Sequence, residues 1–354
     1  MKAAIFGAGA MGSVLGALII KSGGAVDLYA RNEMHVAAVR QTGLTLRCEA
    51  DNVTFKVNAP IYTPDELREK REKYDVIFLM TKQRENASTV TFLKDFLAED
   101  GVLVTTQNGL PERKIADILG AEKTFGGVCS FGANYVRSGE AALTSSLASA
   151  KICVGAYETT GSALQKKAIE NVRELLRPVG AVTGGEFYRE TENLAGVRYA
   201  KLTLNAAFSS LSAATGMTFG EAAKNGKTKK IALGIMREVL SVAAAAGVKV
   251  DRVQGRNIAA LLKKGGAPFG WVKEIFLRLA MPHFVKTHKN SVSGMLADIK
   301  RGRKCEIDFI TGAVSEEGRR AGVKTPLCDK ITAIVRGVEN GLYELSVKNA
   351  DFLV

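Results

Sequence analysis

The chain has 354 residues, 46% hydrophobic and 24% charged, a balance too apolar for a disordered protein and long enough for two domains. Its 49 lysines and arginines against 36 aspartates and glutamates give a net charge of +13, at first sight the footprint of a polyanion binder. The surplus is uneven: residues 1–195 hold 23 basic and 23 acidic residues, so the whole excess lies in residues 196–354 and points to two domains with different partners. Five cysteines (Cys48, Cys129, Cys153, Cys305, Cys328) show no C-x-x-C spacing and are odd in number, which argues against a disulfide framework or structural zinc and makes a reducing cytoplasm the expected compartment.

In chain order, Lys2–Phe6 is a short apolar run of strand length, followed by Gly7-Ala8-Gly9-Ala10-Met11-Gly12 and a helical stretch over Ser13–Lys21. The uncharged run Ala3–Ile20 has the length of a signal segment, but four glycines break it, and no other run is long enough to span a bilayer. Further strands are expected at Val26–Ala30, Val76–Met80 and Val102–Thr106, with helices at about 33–42, 84–98 and 111–119. This alternation predicts a doubly wound parallel sheet covered on both faces. Leu44–Val57 alternates as a hairpin does and is expected to leave that sheet. Residues 126–157 read as β-rich, and a helix follows at about 161–177.

Past residue 190 the pattern becomes all-helical, with helices at roughly 190–214, 227–247, 254–264, 270–281, 306–321 and 326–346. The expected division is therefore an α/β domain over 1–190 and a helical domain over 191–354. His35, His283 and His288 lack metal-ligand spacing, so no metal is expected.

The motif Gly7-x-Gly9-x-x-Gly12 lies after a strand and opens a helix, the setting a dinucleotide fingerprint requires. The first glycine permits a tight turn, the second a close approach of backbone to pyrophosphate, and the third close helix–strand packing, while the helix N-terminus offers free N–H groups. The second strand ends Leu28-Tyr29-Ala30-Arg31-Asn32, with no carboxylate to accept from a ribose 2′-hydroxyl and an arginine suited to a 2′-phosphate. NADPH is the expected cofactor; a solvated Arg31 is the bland alternative. In the second half, Asn193–Thr215 is apolar nearly all round, with Arg198 and Lys201 its only charges. Lys201 and Asn205, four apart, share one face and could point together into a cleft, unless Lys201 snorkels outward or pairs with a structural carboxylate.

The loop with Arg31, Thr81-Lys82, Gln107-Asn108-Gly109, Lys201-x-x-x-Asn205, and Ser293-Gly294-Met295-Leu296-Ala297-Asp298-Ile299 followed by Glu306-Ile307-Asp308 together resemble the ketopantoate reductase (2-dehydropantoate 2-reductase) family. The resemblance spans residues 1 to about 330. It implies a Rossmann-type domain followed by an all-helical one, with the active site in the cleft between them. It further implies Lys201 as general acid, Glu306 contacting the substrate hydroxyl and positioning the reacting groups, Asn205 and Asn108 around substrate and nicotinamide, and Lys82 near the cofactor. The bland readings are a turn at Asn108-Gly109 and a helix-start residue at Glu306.

Two positions depart from the family. Ser209 stands where a second asparagine contacts substrate, and Gly294 replaces a serine that binds the substrate carboxylate, leaving Ser293 and Ser291 nearby. The expected activity is reduction of a small 2-oxo acid, first of all 2-dehydropantoate, with a different 2-oxo acid or an opine-type substrate as the rival. A non-catalytic NADP-binding protein whose Lys300-Arg301-Gly302-Arg303-Lys304 run meets a polyanion is the alternative of another class, but no aromatic interleaving accompanies that run, and no nucleic-acid partner is expected. Residues 220–290 look long for the family and carry Lys263, Lys264, Lys273 and the only tryptophan, Trp271, expected in a core or subunit interface. A homodimer through the helical domain is the expected assembly.

Overall fold

The computed structural model describes residues 1–252, 257–262, 270–285 and 289–353, without the side chains of 270–273. Lys263, Lys264, His288 and the side chains of Trp271 and Lys273 lie outside the described residues. The chain forms two compact units: Met1–Gln107 with Pro111–Leu194, and Asn108–Leu110 with Ala195–Val354.

The first unit is built on strands β1 (Ala3–Phe6), β2 (Asp27–Tyr29), β3 (Leu44–Cys48), β4 (Val53–Val57), β5 (Ile61–Tyr62), β6 (Tyr74–Leu79), β7 (Leu97–Thr105), β8 (Thr124–Cys129), β9 (Ala133–Arg137), β10 (Glu140–Leu143), β11 (Ile152–Ala156) and β12 (Tyr188–Glu190). Eight of them form one sheet in the order β12-β11-β8-β7-β6-β1-β2-β5. The six from β8 to β5 run parallel, the doubly wound arrangement expected from the alternating pattern. β1, residues 76–79 of β6 and residues 102–104 of β7 are apolar and buried because both faces of the sheet are covered there. Along β1, Ala3 and Ile5 enter the core formed with α1 (Ala10–Lys21), while Ala4 and Phe6 enter the opposite core with Val90, Leu93 and Ile115.

β11 departs from the expectation of a purely parallel sheet by pairing antiparallel with β8. The chain between them makes no crossover helix: β9 and β10 leave to form a second sheet, ordered β4-β3-β10-β9, so the chain can return beside β8 in the opposite direction. The hairpin expected at 44–57 is β3 and β4 of this sheet. The helix expected over 84–98 is shorter, Asn86–Lys94 (α4 below), because β7 begins at Leu97.

The helices of this unit are α1, α2 (Glu33–Thr42), α3 (Pro64–Lys70), α4 (Asn86–Lys94), α5 (Glu112–Leu119), α6 (Ala163–Leu176) and α7 (Val179–Thr183). The second unit comprises α8 (Leu194–Thr215), α9 (Phe219–Lys224), α10 (Gly226–Ala245), α11 (Ile258–Leu262), α12 (Gly270–Phe284), α13 (Gly294–Lys300), α14 (Ile307–Arg320) and α15 (Pro326–Glu339), with no strand among its described residues. Its core joins Ala206 and Leu211 of α8 to Ile235, Met236 and Val239 of α10, Ile310 and Val314 of α14, and Ile331 and Val335 of α15. The basic run 300–304 is the exposed end of α13 and the turn beyond it.

His35 of α2, 1% exposed, joins Ser13 on the helix Ala10–Lys21 to the turn between β9 and β10. The Gly139 N–H donates to its Nδ1 at 3.0 Å, and Ser13 Oγ, which itself donates to the Ala8 carbonyl, lies 3.3 Å from Nε2. The ring therefore carries its proton on Nε2 and is neutral. Burial lowers its pKa from the ordinary 6.5. Because the unfolded chain takes up this proton first, stability is lost as pH falls below about 6.5 towards the depressed native value. Between pH 6.5 and 5.5 the loss from this group is up to about 1 kcal/mol, read as a fall in Tm that is smaller in a His35→Phe variant.

Candidate active site

Each of the three glycines after β1 answers to a different constraint. Gly7 has φ +107°, and a Cβ there would lie 2.7 Å from the Thr81 nitrogen. At Gly12 a Cβ would lie 2.4 Å from the Gly7 carbonyl oxygen, so α1 can approach the loop this closely only without a side chain. At Gly9 a Cβ would meet nothing within 4 Å, so no neighbouring atom requires a glycine there. The open space over Gly9 is the cradle that an approaching pyrophosphate needs and that a side chain would fill. The loop is pinned by the Gly7 and Ala8 N–H groups, which both donate to the Tyr29 carbonyl at 3.0 and 2.8 Å, joining the ends of β1 and β2. No side chain caps α1 and its first turn, from Ala10 and Met11 onward, has no acidic residue, leaving its N-terminus suited to an anion.

The loop lies where the strand order reverses, since β2 and β6 flank β1 and their connections run in opposite directions along the sheet. That crevice is where open α/β sheets take ligands. On its other side Thr81 Oγ1 is buried with no hydrogen-bond partner, an orphan polar atom in the residue that touches the glycine loop. The residues present thus fit a dinucleotide.

An amide pair that sequence reasoning missed holds this second wall. Gln107 Nε2 donates to the Thr81 carbonyl at 2.8 Å and to Asn86 Oδ1 at 2.7 Å, and Asn86 Nδ2 donates back to Gln107 Oε1 at 2.9 Å. Both side chains are buried. Their satisfaction by one another fixes the turn Gln83–Glu85 that follows Lys82. Lys82 is exposed at the start of that turn, and Arg31 is exposed at the end of β2, its Nη1 2.7 Å from Glu85 Oε2. The structure thus brings Gly7–Gly12, Arg31 and Lys82 together around one end of one sheet.

In the helical unit, Lys201, Asn205 and Ser209 occupy successive turns of a single face of α8, Lys201 and Asn205 half-buried and Ser209 buried. The Ser209 hydroxyl donates to Asn205 Oδ1. The residue that departs from the family pattern is therefore used within the helix, where it fixes the rotamer of Asn205. Ser293, 2% exposed, is the N-cap of α13: its Oγ accepts from the Leu296 N–H at 3.0 Å and its own N–H donates to Ser212 Oγ at 3.2 Å. Glu306 is half-buried at the N-cap position of α14, and its side chain makes no capping bond there. Asn108 is half-buried within Asn108–Leu110, the short segment that belongs to the helical unit, where Leu110 packs on its core.

Among the described residues no group of three or more His, Cys, Asp or Glu could hold a metal, and no helix is long and apolar enough to cross a membrane. A doubly wound sheet with a glycine loop at its switch point, followed by a separate helical unit, defines a dinucleotide-dependent oxidoreductase of two-unit design. More particularly, the chain belongs to the ketopantoate reductase PanE/ApbA family: the family's profile matches residues 3–158, and that of its C-terminal part residues 193–339. It is 27% identical over 341 residues to the 2-dehydropantoate 2-reductase of Pyrococcus horikoshii, covering 96% of this chain and 98% of that protein. Among solved structures its fold is similar to that of a D-mandelate dehydrogenase in complex with NADH and anilino(oxo)acetate, with TM-score 0.77, 24% identity and coverage of 97% and 99% of the two chains. It is also similar to that of a ketopantoate reductase from Ralstonia eutropha, with TM-score 0.75, 23% identity and coverage of 96% and 99%.

Proposed function

We propose that the protein reduces a small 2-oxo acid to the 2-hydroxy acid with NADPH, 2-dehydropantoate being the first substrate to test. The observation that carries this is the row Lys201, Asn205, Ser209 on α8, with Asn205 held by Ser209, in a chain whose other unit has a glycine loop fit for a dinucleotide. NADPH supplies the hydride when bound. Lys201 gives a proton to the substrate carbonyl oxygen, where charge develops as the carbon is reduced. Asn205 and Asn108 orient the oxo acid through their amides, Glu306 accepts from a substrate hydroxyl, and Ser293 offers its hydroxyl while closing α13. Arg31 meets the 2′-phosphate, and Lys82 adds positive charge beside the same cofactor.

A second substrate reading has an observation of its own. Gly294 offers no side chain to a carboxylate and a Cβ there would meet nothing within 4 Å, while the Ser209 hydroxyl is turned to Asn205. An aryl or otherwise larger 2-oxo acid fits that reading, in keeping with the ligand of the similar mandelate dehydrogenase structure. NADPH oxidation followed across a panel of 2-oxo acids, with and without amino acids, decides. Turnover best with 2-dehydropantoate supports the first reading; indifference to it with turnover of phenylglyoxylate supports the second; no turnover of any 2-oxo acid overturns both.

A further inference from the structure

The sequence places no carboxylate at the end of β2, yet the fold brings one there. Glu85, 54 positions beyond Arg31, closes the turn after β6 with its Oε2 2.7 Å from Arg31 Nη1. The corner that would read the 2′-substituent of the adenosine ribose thus holds a guanidinium and a carboxylate in contact. Both side chains are well exposed, 72% and 56%, so no packing requires the pair, and an ion pair this open contributes little to stability. The backbone that carries Glu85, however, is held in place. The turn is anchored by the Gln107 bond to the Thr81 carbonyl, and the Glu85 carbonyl accepts from Ser88 Oγ at 3.1 Å.

We propose that Glu85 is a cofactor-specificity residue that weakens the preference for NADPH over NADH and lets both serve. This rests on the reading that Arg31 meets the 2′-phosphate. A dianionic phosphate entering that corner must share Arg31 with Glu85 or displace it, and either way lies beside a carboxylate, where like charges repel. A 2′-hydroxyl meets the opposite situation: Glu85 can accept its proton in a hydrogen bond, the task that a carboxylate at the strand end performs in NAD-selective sheets. Arg31 alone would select NADPH. Arg31 already engaged by Glu85 selects less.

The test is the dissociation constant of each cofactor, measured by nicotinamide fluorescence at low and high salt for the unaltered chain, Glu85→Gln and Arg31→Ala. Glutamine keeps the shape of the side chain and removes its charge. The unaltered chain is expected to bind the two cofactors within about tenfold of one another. Glu85→Gln is expected to shift the ratio towards NADPH by about tenfold, about 1.4 kcal/mol, chiefly by tighter NADPH binding, and the shift should shrink as salt screens the corner. If Glu85→Gln leaves the ratio within twofold while Arg31→Ala still weakens NADPH, the proposal for Glu85 is overturned and the role of Arg31 stands. If Arg31→Ala leaves NADPH binding unchanged, both fall.

Discussion

Lys201→Ala is expected to lower kcat and kcat/KM together by roughly two to four orders of magnitude, the range that a positioned proton donor contributes. NADPH binding should change by less than about threefold, since the glycine loop, Arg31 and Lys82 all belong to the other unit. The pH profile gives the sign. With lysine as the acid, the rate falls as pH rises through the pKa of the bound complex, and the alanine variant loses that limb while keeping its residual rate. Lys201→Arg separates two explanations: arginine keeps the positive charge but does not release a proton in this range, so it restores activity only if charge alone is what Lys201 supplies. A Lys201→Ala variant with kcat within fivefold of the unaltered chain would remove Lys201 from the reaction.

How far the sequence disclosed this arrangement depends on the range of the interaction. The strand β1, residues 76–79 of β6 and residues 102–105 of β7 were legible because they are buried on both faces and read as short apolar runs; the first half of β7, with exposed Glu99 and Asp100, carries no such signal. The glycine loop was legible because its constraints act within six residues. The face of α8 bearing Lys201 and Asn205 followed from helical spacing alone. Contacts between segments distant in sequence were not legible. The pairing of β10 with β3 depends on where the chain returns after β8, and no local pattern encodes it. The Asn86–Gln107 pair joins the first residue of α4 to the segment just beyond β7, and neither residue type signals its partner. The same holds for Glu85: a carboxylate was sought at the end of β2, where sheets of this kind carry it, but it comes from the turn after β6. Ser293 shows a different limit, since a serine before a short helix reads equally as a cap and as a ligand, and the structure gives it the capping bond.

Gly9→Ala and Gly12→Ala are expected to fail in opposite ways, and the contrast tests the dinucleotide site more sharply than either alone. At Gly9 the added methyl group enters open space and meets no neighbouring atom within 4 Å, so thermal stability should fall by less than it does at Gly12, by about 1–2 kcal/mol. Cofactor affinity should nevertheless fall by about tenfold or more, because the methyl group occupies the space through which the backbone meets the pyrophosphate. At Gly12 the methyl group would lie 2.4 Å from the Gly7 carbonyl oxygen, a backbone atom that cannot rotate aside, so α1 must shift from β1. The expected cost is at least about 3 kcal/mol of stability, seen as a lowered Tm or midpoint of urea unfolding, with cofactor binding lost as a consequence. A Gly9→Ala chain that is stable and binds NADPH normally would mean that the phosphates lie elsewhere. Close backbone contacts demand glycine at positions 7 and 12, whereas no neighbouring atom demands it at position 9. That difference is why the glycine at position 9 points to a ligand.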